Sequence, residues 1–326
     1  MRKTTIFCHG DCDGLTAGAI ALAANPGARI WLTNPVGLAD DLKREGRGLD
    51  RIVIVDIALN DHTLQELFEE MKKLLKAKTE IIYIDHHPLP QEISPKDVPA
   101  SIFIHEKGST AELTYLHFEE KLTWKHKILA AIGAAGDYET ETIFAQEVLR
   151  DYDYRSIVFQ AALIVQSLGE IPVENNIQMK KSLIERMALG VLPVDLNNIV
   201  ERAIRGCQVE GAVREYVHKN AKSLSHLGYI RDIPTGGGFN GKGALFAATA
   251  ADKPVGICGN SIGNRISTSI RRRDPRVDLN ICARIAGRTV DGSGGGHPSA
   301  AGATVQNDRW EDFLEILNFE IKKQLE

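Results

Sequence analysis

The sequence is poor in the features that usually settle function early. Its five cysteines, Cys8, Cys12, Cys207, Cys258 and Cys282, are odd in number and form no C-x-x-C pair. That excludes a disulfide framework and a zinc ribbon, and it fits a reducing, cytoplasmic setting. Positive charge is not in excess: 39 Lys and Arg stand against 43 Asp and Glu, giving a net charge of −4 and a pI of about 6.2. No broad basic surface is therefore available to hold long duplex nucleic acid by phosphate neutralisation, and a nucleic-acid substrate has to be gripped locally. The apolar stretch at the N-terminus, MRKTTIFCHGDCDG, is broken at His9 and Asp11, too short for a signal h-region or a spanning helix. The chain reads as soluble, with no membrane partner. Internal repeats and low-complexity tails are also missing.

What is present is ordinary globular composition: 326 residues, 43% hydrophobic and 25% charged, enough apolar material for one large core or two. Short apolar runs at Thr4 to Cys8, Arg29 to Thr33, Arg51 to Val55, Glu80 to Ile84 and Ser101 to Ile104 predict buried strands. Helical segments at Gly14 to Ala24, Thr63 to Ala77 and Ser109 to Glu120 lie between them, the last opening on a capping-box pattern, Ser109 to Glu112. Strand alternating with helix predicts a parallel sheet covered by helices. From Thr123 to about Ala188 the pattern is helical, and Asp195 to Ser223 reads as a polar helical connector. Beyond residue 224 the segments KGALFAATA, RISTSIRRR and VDLNICARIAG suggest a second, strand-rich domain with one closing helix, Arg309 to Leu325.

The polar residues gather at strand ends. The first strand runs into CHGDCDG, which sets His9, Asp11 and Asp13 at alternate positions, on one side of an extended segment. The third strand ends at Asp56 and the fourth at Asp85, His86 and His87. Ligands of open parallel sheets collect at the carboxyl ends of strands. One Asp there is usually a turn former, and one His is usually satisfied in the core. Six or seven such groups on three strands are different, because their mutual repulsion is costly without a counter-charge. A cation resolves that cost. Carboxylates with a few imidazoles and no thiolate favour Mg²⁺ or Mn²⁺ over structural zinc, and imidazole tilts the choice to Mn²⁺. So many ligands suit two metals, which activate water and clamp a phosphate.

Three competing motifs fail on particular residues. An EF-hand counted from His9 would need an acid where Ile20 stands. A haloacid-dehalogenase-type nucleophile would want Asp-x-Asp directly after the strand, but His9 comes first and no Thr or Val follows Gly14. The G-x-x-x-x-G-K stretch from Gly236 to Lys242 has Gly243 where a P-loop has Ser or Thr, and it reads as a flexible loop near an interdomain cleft.

Taken together, these motifs resemble the DHH-family phosphoesterases with a C-terminal DHHA1 domain, the nanoRNase and RecJ-like superfamily. HGDCDG resembles the first motif, Asp56 the second and Asp85-His86-His87 the third. GAAGDYE supplies Asp137 as the fourth, a residue that enters on the resemblance alone. GGGHPSAAG, Gly294 to Gly302, looks like the DHHA1 signature. The resemblance implies an α/β fold: a parallel-sheet DHH domain with helices on both faces over 1–190, a helical linker over 191–223, and a smaller α/β DHHA1 domain with a mixed sheet over 224–326. It implies one metal on His9, Asp11 and Asp56, and a second on Asp13, Asp56, His86 and Asp137, both Mn²⁺ with Mg²⁺ as the alternative. Asp85 would orient a ligand histidine, and His87 would face the phosphate or assist proton transfer. Gly294, Gly295, Gly296 and His297 would bind phosphate, with Arg271 and a second arginine, Arg265, on the preceding strand.

The expected activity is hydrolysis of short single-stranded oligonucleotides to 5′-mononucleotides, with pAp as a further substrate. Cyclic-dinucleotide cleavage is the alternative, and a non-catalytic RecJ-like scaffold the rival from another class. Retention of all six metal-ligand positions weighs against the scaffold. Homodimerisation is left open.

Overall fold

The computed structural model describes residues 2–170, 176–235 and 238–326. The chain divides into two compact units, Met1–Ile204 and Arg205–Glu326.

The first unit is built on a five-stranded sheet. Its strands are β1 (Thr4–Cys8), β2 (Arg29–Leu32), β3 (Arg51–Val55), β4 (Glu80–Asp85) and β5 (Ile102–His105), in the order β2-β1-β3-β4-β5 with every pairing parallel. The centres of β1, β3 and β4 are runs of apolar residues, Ile6–Cys8, Ile52–Val55 and Ile81–Ile84, because both faces of the sheet are covered. Alternate side chains go to opposite cores. Ile6, Cys8, Val53, Val55, Ile82 and Ile84 join one, and Phe7, Ile52, Ile54, Ile81 and Tyr83 the other.

The first face is covered by α1 (Cys12–Ala24), α4 (Thr110–Phe118), α5 (Trp124–Gly136), α6 (Ile143–Asp151), α7 (Tyr154–Glu170) and α8 (Asn176–Ala188). The second face is covered by α2 (Leu38–Glu45) and α3 (Leu64–Lys76). The helix α2 escapes the hydrophobic pattern because only Leu38, Ala39 and Leu42 of LADDLKRE are buried. The chain leaves β1 through α1 to β2 on one side, whereas β3 leads through α3 to β4 on the other. The carboxyl ends of the neighbours β1 and β3 thus flank the topological switch point, where parallel sheets open a crevice.

The second unit has a mixed six-stranded sheet. In the order β10-β11-β9-β8-β7-β6 these are β10 (Ser293–Gly296), β11 (Ala300–Gln306), β9 (Arg265–Arg272), β8 (Val255–Ile262), β7 (Leu227–Arg231) and β6 (Lys222–Ser223). Only β7 and β8 pair in parallel. Besides α9 (Ile199–Asn220), which straddles the division between the units, it has α10 (Asn240–Ala250), α11 (Leu279–Thr289) and α12 (Trp310–Leu325). KGALFAATA and VDLNICARIAG are therefore helices and not strands. Short apolar runs do not distinguish the two states, and here the buried sets Ala244, Ala247, Ala248 and Leu279, Cys282, Ala283, Ala286 follow the helical period. From Asn240 the expected flexible loop is likewise helical, while Gly236 and Gly237 lie outside the described residues. No helix among the described residues is long and apolar enough to cross a membrane.

One glycine fixes the spacing of the helices behind the site. A Cβ on Gly133 of α5 would lie 2.5 Å from Thr16 Oγ1, 2.6 Å from Ala111 Cβ and 2.7 Å from Asp13 Oδ1. The helices α1, α4 and α5 meet at this point, so there is nowhere for a methyl group to go. Gly133→Ala should destabilise the protein by about 1–3 kcal/mol despite the better helix propensity of alanine. Urea unfolding is the measurement, and an unchanged midpoint would contradict it.

Candidate metal centre

The site begins with a helix cap. Asp11 precedes α1, and its Oδ1 accepts from the Gly14 amide at 3.0 Å, which starts the helix at Cys12, two residues earlier than the periodicity predicts. Its Oδ2 lies 2.8 Å from His9 Nδ1. Asp13 therefore belongs to the first turn of a helix and not to an extended segment, so the alternation argument for His9, Asp11 and Asp13 does not describe how they converge. Asp13 is fully buried, and the amides of Thr110 and Ala111 at the start of α4 donate to its two oxygens at 2.6 and 3.0 Å. A carboxylate at a helix N-terminus is stabilised by the exposed N–H groups and the dipole.

Asp56 follows β3 in a left-handed conformation, φ 61°, one that Asp tolerates at some cost. Its amide donates to the Ile84 carbonyl at 3.1 Å, tying the turn to β4. Only 2% of Asp56 is exposed, and its two oxygens face different neighbours. Oδ2 lies 3.7 Å from His9 Nδ1. Oδ1 lies 3.5 Å from His86 Nε2 and 3.9 Å from His87 Nδ1, and it accepts from Thr110 Oγ1 at 3.2 Å. Around His86 Nε2 stand Asp137 Oδ2 at 3.4 Å and Asp13 Oδ2 at 3.8 Å. Asp137 is the C-cap of α5.

All six expected ligand positions thus meet at one edge of the sheet. They form two sets, His9-Asp11-Asp56 and Asp13-His86-Asp137, whose donor atoms approach closely enough to share a cation, and Asp56 reaches both. The histidine held by Asp85 is His87, Nδ1 to Oδ1 2.9 Å, and not the expected ligand His86.

Two residues escaped sequence reading. Thr110 braces Asp13 and Asp56 through its amide and hydroxyl. His105 is the last residue of β5, and its Nε2 lies 2.7 Å from the carbonyl oxygen of His87. Both were marked in the sequence: Thr110 lies inside the capping pattern, and His105 ends a strand as Asp85 does. The capping box itself is half formed. Ser109 Oγ accepts from the Glu112 amide at 3.2 Å, but the Glu112 carboxylate accepts from Thr142 Oγ1 at 2.7 Å instead of closing back.

In the second unit the Gly-rich strand has work of its own. A Cβ on Gly294 would fall 2.1 Å from the Ala283 carbonyl of α11, and the Gly296 amide donates to Asn280 Oδ1 at 3.2 Å. Gly295 and Gly296 take φ values of 153° and 143°, open to glycine alone. Arg271 pairs with Ala300, just beyond His297, at one end of β9. Arg265 pairs with Gln306 at the other end, about 20 Å away along an extended strand. It is exposed and does not join Arg271 and His297. Lys242 of the near-P-loop is bound to Glu210 Oε2 at 2.6 Å.

The electrostatics fit a cation. Burial raises Asp56 well above the carboxylate range, with Asp11 and Asp13 adding to it, and burial raises Asp13 to about 7. Burial would also raise Asp11, but the charge and hydrogen bond of His9 outweigh it and Asp11 is lowered. Burial opposes the charge on His86, yet Asp137 and Asp56 raise it to about 12. Asp56 Oδ2 is buried with no hydrogen-bond partner. A cation satisfies that oxygen and removes the repulsion, and hard oxygen donors with imidazole match Mn²⁺ or Mg²⁺. Protons must leave Asp56, Asp13 and His86 as it binds. Mn²⁺ affinity of the chelator-treated protein should therefore rise between about pH 5.5 and about pH 8 with release of protons. Calorimetry in buffers of different ionisation enthalpy measures this, and binding without proton release would contradict it.

Residues 3–136 match the DHH family, N-terminal domain, and residues 234–323 match the DHHA1 domain. No curated protein matches the sequence. Among similar solved structures is RecJ of Thermus thermophilus in complex with Mn²⁺, with a TM-score of 0.69, 16% identity, and 99% of this chain and 52% of that one covered. The chain thus spans about half the length of that protein. A pGpG-specific phosphodiesterase from Vibrio cholerae has a TM-score of 0.56 and 15% identity, with 99% of this chain and 100% of that one covered. An exopolyphosphatase-related protein from Bacteroides fragilis has a TM-score of 0.52 and 15% identity, with coverage of 99% and 92%. At these identities the likeness is one of fold. The two domain matches, in this order on a five-stranded parallel sheet followed by a mixed one, place the chain in the DHH family with a C-terminal DHHA1 domain.

Proposed function

We propose that the protein is a metal-dependent phosphodiesterase that hydrolyses short single-stranded oligonucleotides to 5′-mononucleotides, with pAp as a further substrate. The observation that carries this reading is Asp56, one buried carboxylate whose two oxygens face two separate acid and histidine sets. His9, Asp11 and Asp56 would hold one divalent cation, and Asp13, Asp56, His86 and Asp137 a second. When bound, such a pair supplies Lewis acidity to phosphoryl oxygens and lowers the pKa of water.

The chain's own residues do the rest. Thr110 and the amides of α4 keep Asp13 and Asp56 from turning away. Asp85 holds Nδ1 of His87, so the other ring nitrogen is the one to take or give a proton at an ester oxygen. His105 steadies the same residue through its backbone. In the second unit, Arg271 and His297 are the residues we assign to substrate phosphate. The net charge of −4 supports a small, locally held substrate over a long duplex. The name of the Vibrio cholerae neighbour, a pGpG-specific phosphodiesterase, supports a substrate of nucleotide size.

Incubation of the protein with Mn²⁺ and labelled dinucleotides should release 5′-mononucleotide. Asp56→Ala should lower the rate by about 100-fold or more, since partners outside the ligand set already cost about 10- to 100-fold at metal sites and Asp56 reaches both sets. No release, or equal release by the variant, would sink the proposal. Asp85→Asn should lower the turnover number more than it changes Mn²⁺ affinity, because it loosens His87 and leaves the two ligand sets in place. Parallel turnover and metal titrations measure this, and the reverse pattern would show that Asp85 serves the metal.

A further inference from the structure

Lys180 belongs to neither acid and histidine set, yet it lies against the loop that carries two of the ligands. It stands on α8, which packs on α1. A Cβ placed on Gly10 would have Lys180 atoms as its three nearest neighbours, Nζ at 2.7 Å, Cδ at 3.5 Å and Cε at 3.6 Å. Gly10 lies between His9 and Asp11 and is not among the residues with positive φ. Its backbone therefore accepts any residue, and what a side chain there would displace is the ammonium. This separates Gly10 from Gly14, where a Cβ would strike the His9 backbone.

Among the described residues Lys180 makes no hydrogen bond or close ion pair. It is half-buried, and burial lowers its pKa more than Asp11 and Cys8 raise it. A partly desolvated ammonium without a bonded acceptor is unfavourable by itself. The charges show what it lacks. Four carboxylates, those of Asp11, Asp13, Asp56 and Asp137, balance the two divalent cations assigned above. Lys180 adds a positive charge beside them, and a phosphodiester carries one negative charge.

We propose that Lys180 binds the phosphoryl group undergoing hydrolysis, its ammonium donating to a non-bridging oxygen in the space that Gly10 leaves open. The ligand class is a phosphate mono- or diester, and the inference rests on the hydrolytic reading above. A lysine holds such an anion as a point charge, without the two-pronged geometry of arginine.

The test uses the full-length protein loaded with Mn²⁺, as wild type and as Lys180→Met, Lys180→Arg and Gly10→Ala. Inorganic phosphate is titrated by calorimetry, and KM and kcat are measured on a dinucleotide. Loss of one charge-assisted hydrogen bond predicts that Lys180→Met weakens phosphate binding and raises KM by about 10- to 100-fold, with unchanged Mn²⁺ stoichiometry. Lys180→Arg should recover part of the loss. Gly10→Ala should keep the wild-type melting temperature and move both constants in the same direction as Lys180→Met. Wild-type phosphate affinity in Lys180→Met overturns the proposal. Should that variant fail to fold, wild-type phosphate affinity in Gly10→Ala overturns it instead. A wild-type protein that binds phosphate but turns over no dinucleotide counts against the hydrolytic reading, and the phosphate titrations still decide the role of Lys180.

Discussion

Mutual repulsion among buried carboxylates is the constraint on which the rest of this structure depends. Asp13, Asp56 and Asp85 are each at most 2% exposed, and Asp11 and Asp137 complete the same cluster. Like charges this close in a low-dielectric environment cannot all remain ionised unaided. Local features offset part of the cost: the α4 amides on Asp13, the Thr110 hydroxyl on Asp56, the His9 ring on Asp11 and the His87 ring on Asp85. The remainder is left for cations. Two rigid cores, one on each face of the sheet, hold the strand ends while this balance is struck.

Much of this was legible in the sequence because the strong signals are local. TTIFC, RIVIV and EIIYID announce buried parallel strands, and the acids and histidines that follow them fall at the carboxyl edge by the rule of the fold. The limits of β1 and β3 agree with the predicted ones to the residue, and β4 runs one residue further, to Asp85. Asp137 was different. Nothing in GAAGDYE distinguishes a ligand from a helix cap, and in the structure the residue is a cap that also lies 3.4 Å from His86.

The misses have physical reasons too. Asp11 begins α1 early by capping it, so a loop-like HGDCDG hides a helix start. Thr110 and His105 act on residues far away in sequence, through contacts that no periodicity encodes. In the second unit, α10 and α11 looked like strands because each is a short apolar run, and such a run does not by itself distinguish helix from strand. Arg265 and Arg271 looked alike as parts of one basic strand, but a strand of eight residues puts its ends far apart.

The bond between Asp13 and α4 joins the making of the site to the making of the fold. Asp13 rides on α1, while the amides that grip it begin α4, almost a hundred residues later in the chain. Besides their apolar contacts, the two helices dock with that carboxylate between them, so part of a helix–helix alignment runs through a side chain that also serves the cluster. Substitutions that preserve ligand chemistry but alter length, such as Asp13→Glu, would then shift the helix packing itself. At this position the tolerance of the site and the tolerance of the core are one quantity.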